Sequence, residues 1–247
     1  MSETTVPAAR IPAWDLPTRV FHWTLVALII CAWASFEFSE ELGDPRLVWH
    51  RWNGLAILTL IVWRILWGLA GPSSARFKSF VRGPSAALTY ARDLYSGTPR
   101  HFIGHNPLGG FVILALLGLV GAIGTLGLFT LEHNDLATGP LYKYAGEAWA
   151  KIWTSWHRFL FEPILIILIA VHVTANVLYG VVKKEPLIPA MITGKKPAAD
   201  YEDMDLSAPI SRPVTRAIAL LAMAAIIVFG GIWALGGSAP AAQTIVF

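Results

Sequence analysis

Trp156-His157-Arg158 and Val171-His172-Val173 bracket the stretch from which the architecture of this chain is read. From Phe159 to Tyr179 the run is apolar except at Glu162-Pro163, Thr174 and Asn176, with His172 set inside it. Read as one α-helix, the separation of the two histidines turns about 1500°, leaving the imidazoles roughly 60° apart in azimuth and about 22 Å apart along the axis. They share one face at two depths. An ionisable side chain inside a lipid-spanning helix is costly and marks function by default. Two on one face predict two stacked sites, each completed by a side chain from another helix.

The rest of the chain supplies the membrane. Its 247 residues are 55% hydrophobic and 14% charged, with a mean hydropathy of +0.56, which excludes an ordinary soluble domain. Five apolar segments reach the roughly 20 residues that a bilayer core requires: 20–38, 48–70, 109–131, 156–180 and 214–236. The runs are continuous rather than alternating, so spanning strands are not expected. The fold class is therefore an all-α membrane protein. The single cysteine, Cys31, excludes an internal disulfide, a four-cysteine iron–sulfur cluster and a Cys-x-x-Cys-His attachment for covalent haem. Ala32-Trp33-Ala34 has the pattern of a signal cleavage site. Cleavage there would discard His22 and upset the charge pattern, so the segment is read as a span.

Charge is segregated by loop. Arg10 and Arg19 precede the first span, and Glu37, Glu40, Glu41 and Asp44 follow it. Arg76, Lys78, Arg82, Arg92 and Arg100 lie between the second and third spans, whereas the next loop carries Glu132, Asp135 and Glu147 against Lys143 and Lys151. Lys183, Lys184, Lys195 and Lys196 come after the fourth. The positive-inside rule then puts the N-terminus in the cytoplasm and the C-terminus outside. The net charge of +3 reports this topology and implies no nucleic-acid partner.

Two more histidines fall at span ends. His22 opens the first span on the cytoplasmic side, with Trp14 and Trp23 at interfacial depth. His50 opens the second on the periplasmic side, with Gly54 one turn on, where the missing side chain either makes room for a flat macrocycle or serves close helix packing. The fourth span starts outside, so His157 is periplasmic and His172 cytoplasmic. Depth alone then pairs His22 with His172 and His50 with His157. Gly118, Gly121, Gly124 and Gly127 give the third span a small-residue strip, for tight helix contact or for space beside a cofactor. Arg64 is read as snorkelling to a surface. His101 and His105 fall outside the apolar runs and are read as solvated or at headgroup level.

Imidazole ligates zinc, copper, iron or nickel, and zinc sites want a third or fourth protein ligand. Paired histidines from facing helices suit axial ligation of a haem, whose porphyrin supplies the other four positions. Its carboxylates need cations, and Arg51, Arg158 and Arg19 are the candidates.

The phrases Arg19-Val20-Phe21-His22-Trp23, Trp49-His50-Arg51-Trp52-Asn53-Gly54, Gly104-His105-Asn106-Pro107-Leu108-Gly109 and the helix from His157 to His172 resemble the bacterial cytochrome b561 family, over residues 14–196. That family includes the cytochrome b subunits of membrane-bound nickel-iron hydrogenases and thiosulfate reductases. The resemblance implies a four-helix bundle binding two haems b through His22, His50, His157 and His172. It also implies electron transfer between the quinone pool and a partner redox protein. The fifth span departs from the four-helix core.

The expected organisation is a disordered cytoplasmic tail at 1–13, a haem-binding domain at 14–196, a solvated cytoplasmic linker at 197–213, and a fifth transmembrane helix with a periplasmic end at 214–247. Electrons would pass through a quinone at one surface and a periplasmic c-type cytochrome or dehydrogenase at the other. Glu162 and His105 are candidates for the protons of quinol chemistry. The rivals are an anchoring subunit of one enzyme complex, a haem-free transporter using histidines as proton relays, and a structural membrane module.

Overall fold

The computed structural model describes residues 9–98, 100–132, 137–207 and 211–240. The first eight residues of the expected tail, Asp135, part of the linker at 208–210 and the last seven residues lie outside them. In chain order the elements are β1 (Arg10–Pro12), α1 (Leu16–Glu37), α2 (Val48–Ala70), α3 (Phe77–Phe80), α4 (Pro84–Tyr95) and α5 (Pro107–Gly127). Then come α6 (Gly146–Phe159), α7 (Ile166–Val182), α8 (Leu187–Thr193), β2 (Lys195–Pro197), α9 (Pro213–Ala225) and α10 (Gly231–Ala234). Among the described residues five helices are long and apolar enough to cross a membrane: α1, α2, α5, Gly146–Val182 and Pro213–Ala234.

Carboxylates and prolines set the helix starts. Asp15 accepts the Thr18 amide at 2.8 Å and the Thr18 hydroxyl at 2.7 Å, which caps α1 ahead of Pro17. Asp44 accepts the amides of Val48 at 2.9 Å and Trp49 at 2.8 Å, placing a negative charge on the positive end of α2. Asn106 accepts the Gly109 amide at 2.7 Å, just before Pro107 opens α5. The expected fourth span begins earlier than hydropathy suggests, at Gly146, and is not a uniform helix. A π-helical turn, Leu160–Leu165, joins α6 to α7 around Pro163. Proline offers no amide to the α-helical ladder, and a π turn absorbs the break. The even 100° step used to relate His157 to His172 does not hold through it.

The described chain falls into two compact units, the first built from 1–20, 67–114 and 171–217 and the second from 21–66, 115–170 and 218–247. In the first, β1 runs antiparallel to β2, Ile11 opposite Lys196. The Gly194 carbonyl accepts the amides of Ala13 at 2.8 Å and Trp14 at 3.2 Å. Residues 10–12, expected to be disordered, are thus held in a ladder. Ala13, Trp14, Ile103 and Ala190 form the core here. The acidic stretch read as a solvated linker is also docked. Asp203, 4% exposed, accepts the amides of Ile103 at 2.5 Å and Gly104 at 3.0 Å, while Glu202 forms a two-pronged ion pair with Arg100. Lys196, 1% exposed, donates to the Phe102 carbonyl at 2.8 Å. The physical reason is that the turn from 100 to 106 carries inward amides and carbonyls that only these side chains reach.

One substitution tests packing in this unit. A β-carbon on Gly110 would stand 2.7 Å from the Phe80 carbonyl oxygen, which is backbone and has little freedom to yield. Gly110→Ala is expected to cost about 1–3 kcal/mol, read as a lower thermal midpoint of the purified protein. Gly118→Ala, whose β-carbon meets nothing within 4 Å, is the neutral control.

In the second unit Ile57 and Ile61 of α2 pack with Val120 and Ile123 of α5 and Leu165 of the π turn. The glycine strip makes this approach: added β-carbons would lie 3.4 Å from Ile61 at Gly121 and 2.8 Å from Leu58 at Gly124.

Candidate functional site

Gly127, at the end of the glycine strip, faces a histidine: its β-carbon would lie 3.2 Å from Cε1 of His157. The His157 Nδ1 donates to the Ile123 carbonyl at 2.9 Å, and the His50 Nδ1 donates to the Ala32 carbonyl at 2.8 Å. A carbonyl only accepts, so each bond fixes the proton on Nδ1 and leaves Nε2 with a lone pair for ligation. The ring centroids are 6.1 Å apart, with the planes at 78°. A metal held about 2 Å from each Nε2 sets the centroids roughly 6 Å apart. Among the described residues no three His, Cys, Asp or Glu side chains converge, so a protein-only zinc site lacks its third ligand.

Both imidazoles line a cavity of about 200 Å³, walled by α1, α2, α5 and α6. Gly54 lines it too, and a β-carbon there would meet nothing within 4 Å. Arg51 and Arg158 stand at the same cavity. Arg158 donates to Glu132 at 2.6 Å, yet its Nε and that of Arg51 are buried without a hydrogen-bond partner. Unmet guanidinium donors beside two unprotonated ring nitrogens suit a group with anionic edges and a metal at its centre. The donor set fits haem. Glu132, read from sequence only as a loop charge, belongs to this site; its sequence signal was proximity to a span end.

The other candidates lie elsewhere. His22, in the second unit, is half-buried with its ring edge-on to Trp23 at 4.9 Å. His172, in the first, is half-buried, with the Asn176 amide donating to its carbonyl at 2.7 Å. Arg19 donates to the Ile192 carbonyl at 2.5 Å. Glu162 is exposed on the π turn and reaches the cavity wall. Two readings change. His105 is packed between the rings of Trp14 and Phe80, each centroid 4.7 Å away, so it is not a solvated side chain. Arg64 is 3% exposed, so it does not snorkel to solvent. His101 is paired with Glu185 at 2.9 Å.

A second titratable cluster sits in the first unit. The Tyr90 and Tyr179 hydroxyls are 3.0 Å apart, with Lys183 over both rings. Burial pushes the Tyr90 hydroxyl far above its ordinary range, the Tyr179 bond and Glu185 add to the rise, and Arg100 opposes it. A phenol whose folded pKa is raised stabilises below its unfolded value, about pH 10, and that contribution is lost as pH rises beyond it. Tyr90→Phe is expected to flatten the fall of the thermal midpoint above about pH 10.

The model of the prokaryotic cytochrome b561 family matches residues 13–194. A probable Ni/Fe-hydrogenase B-type cytochrome subunit of Rhizobium leguminosarum bv. viciae is 20% identical over 228 residues, covering 81% of this chain and 95% of the relative. With five apolar helices and a haem-compatible histidine pair, the chain belongs to the prokaryotic cytochrome b561 family, membrane cytochromes that bind b-type haem and work in electron transfer.

Proposed function

We propose that this chain conducts electrons across a bacterial inner membrane through two b-type haems, between the quinone pool and a partner redox protein. The observation that carries the reading is the His50/His157 pair, with both Nδ1 atoms tied to backbone carbonyls. Bound haem supplies a one-electron iron couple. His50 on α2 and His157 on α6 would hold the iron. The Ala32 and Ile123 carbonyls orient the imidazoles and raise their basicity. Arg51 and Arg158 would hold its carboxylates, Gly54 leaves space in the cavity beside them, and the apolar walls would keep water out. The second haem is assigned from sequence, to His22 and His172, with Arg19 as its cation. The alternation of basic loops supports a cytoplasmic N-terminus and a periplasmic C-terminus.

The partner is proposed to be a periplasmic c-type cytochrome or a dehydrogenase. A second reading, an anchoring cytochrome subunit of a nickel-iron hydrogenase, is favoured by the name of the Rhizobium relative and by the 95% of its length that is covered.

The test is reduction of the purified pigment by ubiquinol and menaquinol analogues in proteoliposomes. Reduction by either supports the quinone link. Reduction by dithionite alone would contradict it. Co-purification of hydrogen-dependent haem reduction from native membranes would select the second reading.

A further inference from the structure

We propose that the fifth span ends in a strap that roofs the His50/His157 cavity and keeps aqueous reagents from the group bound there; the shielding part rests on the haem reading of the proposed function. The family match ends at residue 194, so α9, the π-helical turn Ile226–Gly230 and α10 all lie beyond it. From Ile218 on, this segment is nonetheless built into the second unit. Ile232 is buried with Leu55 and Leu141, with Val228 packed alongside, and the Phe229 ring is 6.1 Å from that of Trp52. Leu55 and Leu141's neighbour Pro140 line the cavity. The helix therefore backs onto the cavity wall.

The chain does not simply stop at the end of α10. The amides of Leu235, Gly236 and Gly237 close the last carbonyls of α10, and side chains from the turn before α6 hold the two carbonyls just past the helix, which have no partner further along it. Lys143 donates to the Gly236 carbonyl at 3.0 Å and the Tyr144 hydroxyl donates to the Leu235 carbonyl at 2.8 Å, a cation on the negative end of the helix. Gly236 has φ +65, and the chain reverses through it. A β-carbon on Gly237 would stand 2.7 Å from the Pro140 carbonyl oxygen, so the reversal is pressed against the cavity rim. Just beyond it, Pro240 is buried and lines the cavity. Proline covers such a space without bringing an amide that needs a partner. A plain membrane anchor would need neither this clamp nor a buried residue past its end.

The test uses the full chain. In a Cys31→Ser background, Pro240→Cys is labelled with a membrane-impermeant maleimide. Slow labelling is expected, rising about tenfold when Lys143→Ala and Tyr144→Phe are added, because two hydrogen bonds that hold the strap shut are lost. With Pro240 restored, the same clamp variant should let ferricyanide oxidise the dithionite-reduced pigment several times faster, at unchanged haem per chain. Gly237→Val, which drives the reversal off Pro140, serves as an independent second variant. Equal labelling rates with and without the clamp would overturn the strap. Faster labelling with an unchanged ferricyanide rate would overturn the shielding. A colourless protein whose introduced thiol is protected would overturn the haem reading and support the cover.

Discussion

His157→Ala is expected to take the purified protein from about two haems b per chain to about one, and His50→Ala to do the same. In the proposed ligation each imidazole would supply one bond to the iron, and the two stand on different helices, α6 and α2. Truncating either leaves a single ligand whose centroid partner, 6.1 Å away, is gone. Combining the two substitutions should remove no more haem than either alone. His22→Ala or His172→Ala should empty the other site, so one substitution from each pair should give colourless protein. Pyridine haemochrome counting reads each case. Retention of both haems in His157→Ala would show that the His50/His157 pair is not the ligand set.

The second large effect is expected at a residue with no part in the proposed ligation. Asp203→Ala removes a buried carboxylate that accepts two backbone amides. Hydrogen bonds to a charged acceptor contribute roughly 1.5–3 kcal/mol each, and the abandoned amides carry a further desolvation penalty, so a loss of about 3 kcal/mol or more is expected. The Ile103 main chain lies in a fully buried residue, and water cannot easily replace the acceptor. Lys196, which feels the Asp203 charge and whose own pKa burial already lowers, loses an anionic neighbour as well. Asp203→Asn keeps one acceptor oxygen and should fall between. The readout is the thermal midpoint together with the rate of proteolytic nicking after Lys195. An unchanged midpoint in Asp203→Ala would mean that the acidic stretch is the solvated linker its composition suggests.

These two sites differ in how far the sequence discloses them. Five spans are legible because continuous apolar runs have no other use at that length, and the family is legible from phrases such as Trp49-His50-Arg51 and Arg19-Val20-Phe21-His22. The matched range, 13–194, differs from the sequence reading of 14–196 by a residue or two at each end. Helix ends are less legible. Gly146–Trp156 is amphipathic, with Glu147 and Lys151 paired one turn apart, so it falls outside a hydropathy window although it continues the fourth span. Pro163 announces a break but not its form. The π turn depends on neighbours that re-satisfy the backbone.

The meeting of His50 and His157 is legible because the cost of an imidazole in lipid demands a use. Their orienting partners are not, since Ala32 and Ile123 act through carbonyls that every residue carries. Asp44 and Asp203 read alike as loop charges, yet one caps α2 and the other holds the turn at 103–104. Which amide a carboxylate meets is a tertiary fact, written in no local pattern.

The measurement to make first is the reduced-minus-oxidised visible spectrum of the purified chain, with haem per chain counted as the pyridine haemochrome. Two histidine-ligated sites predict b-type bands and about two haems per chain. A folded protein, expressed with haem in plentiful supply, that carries no haem would contradict them.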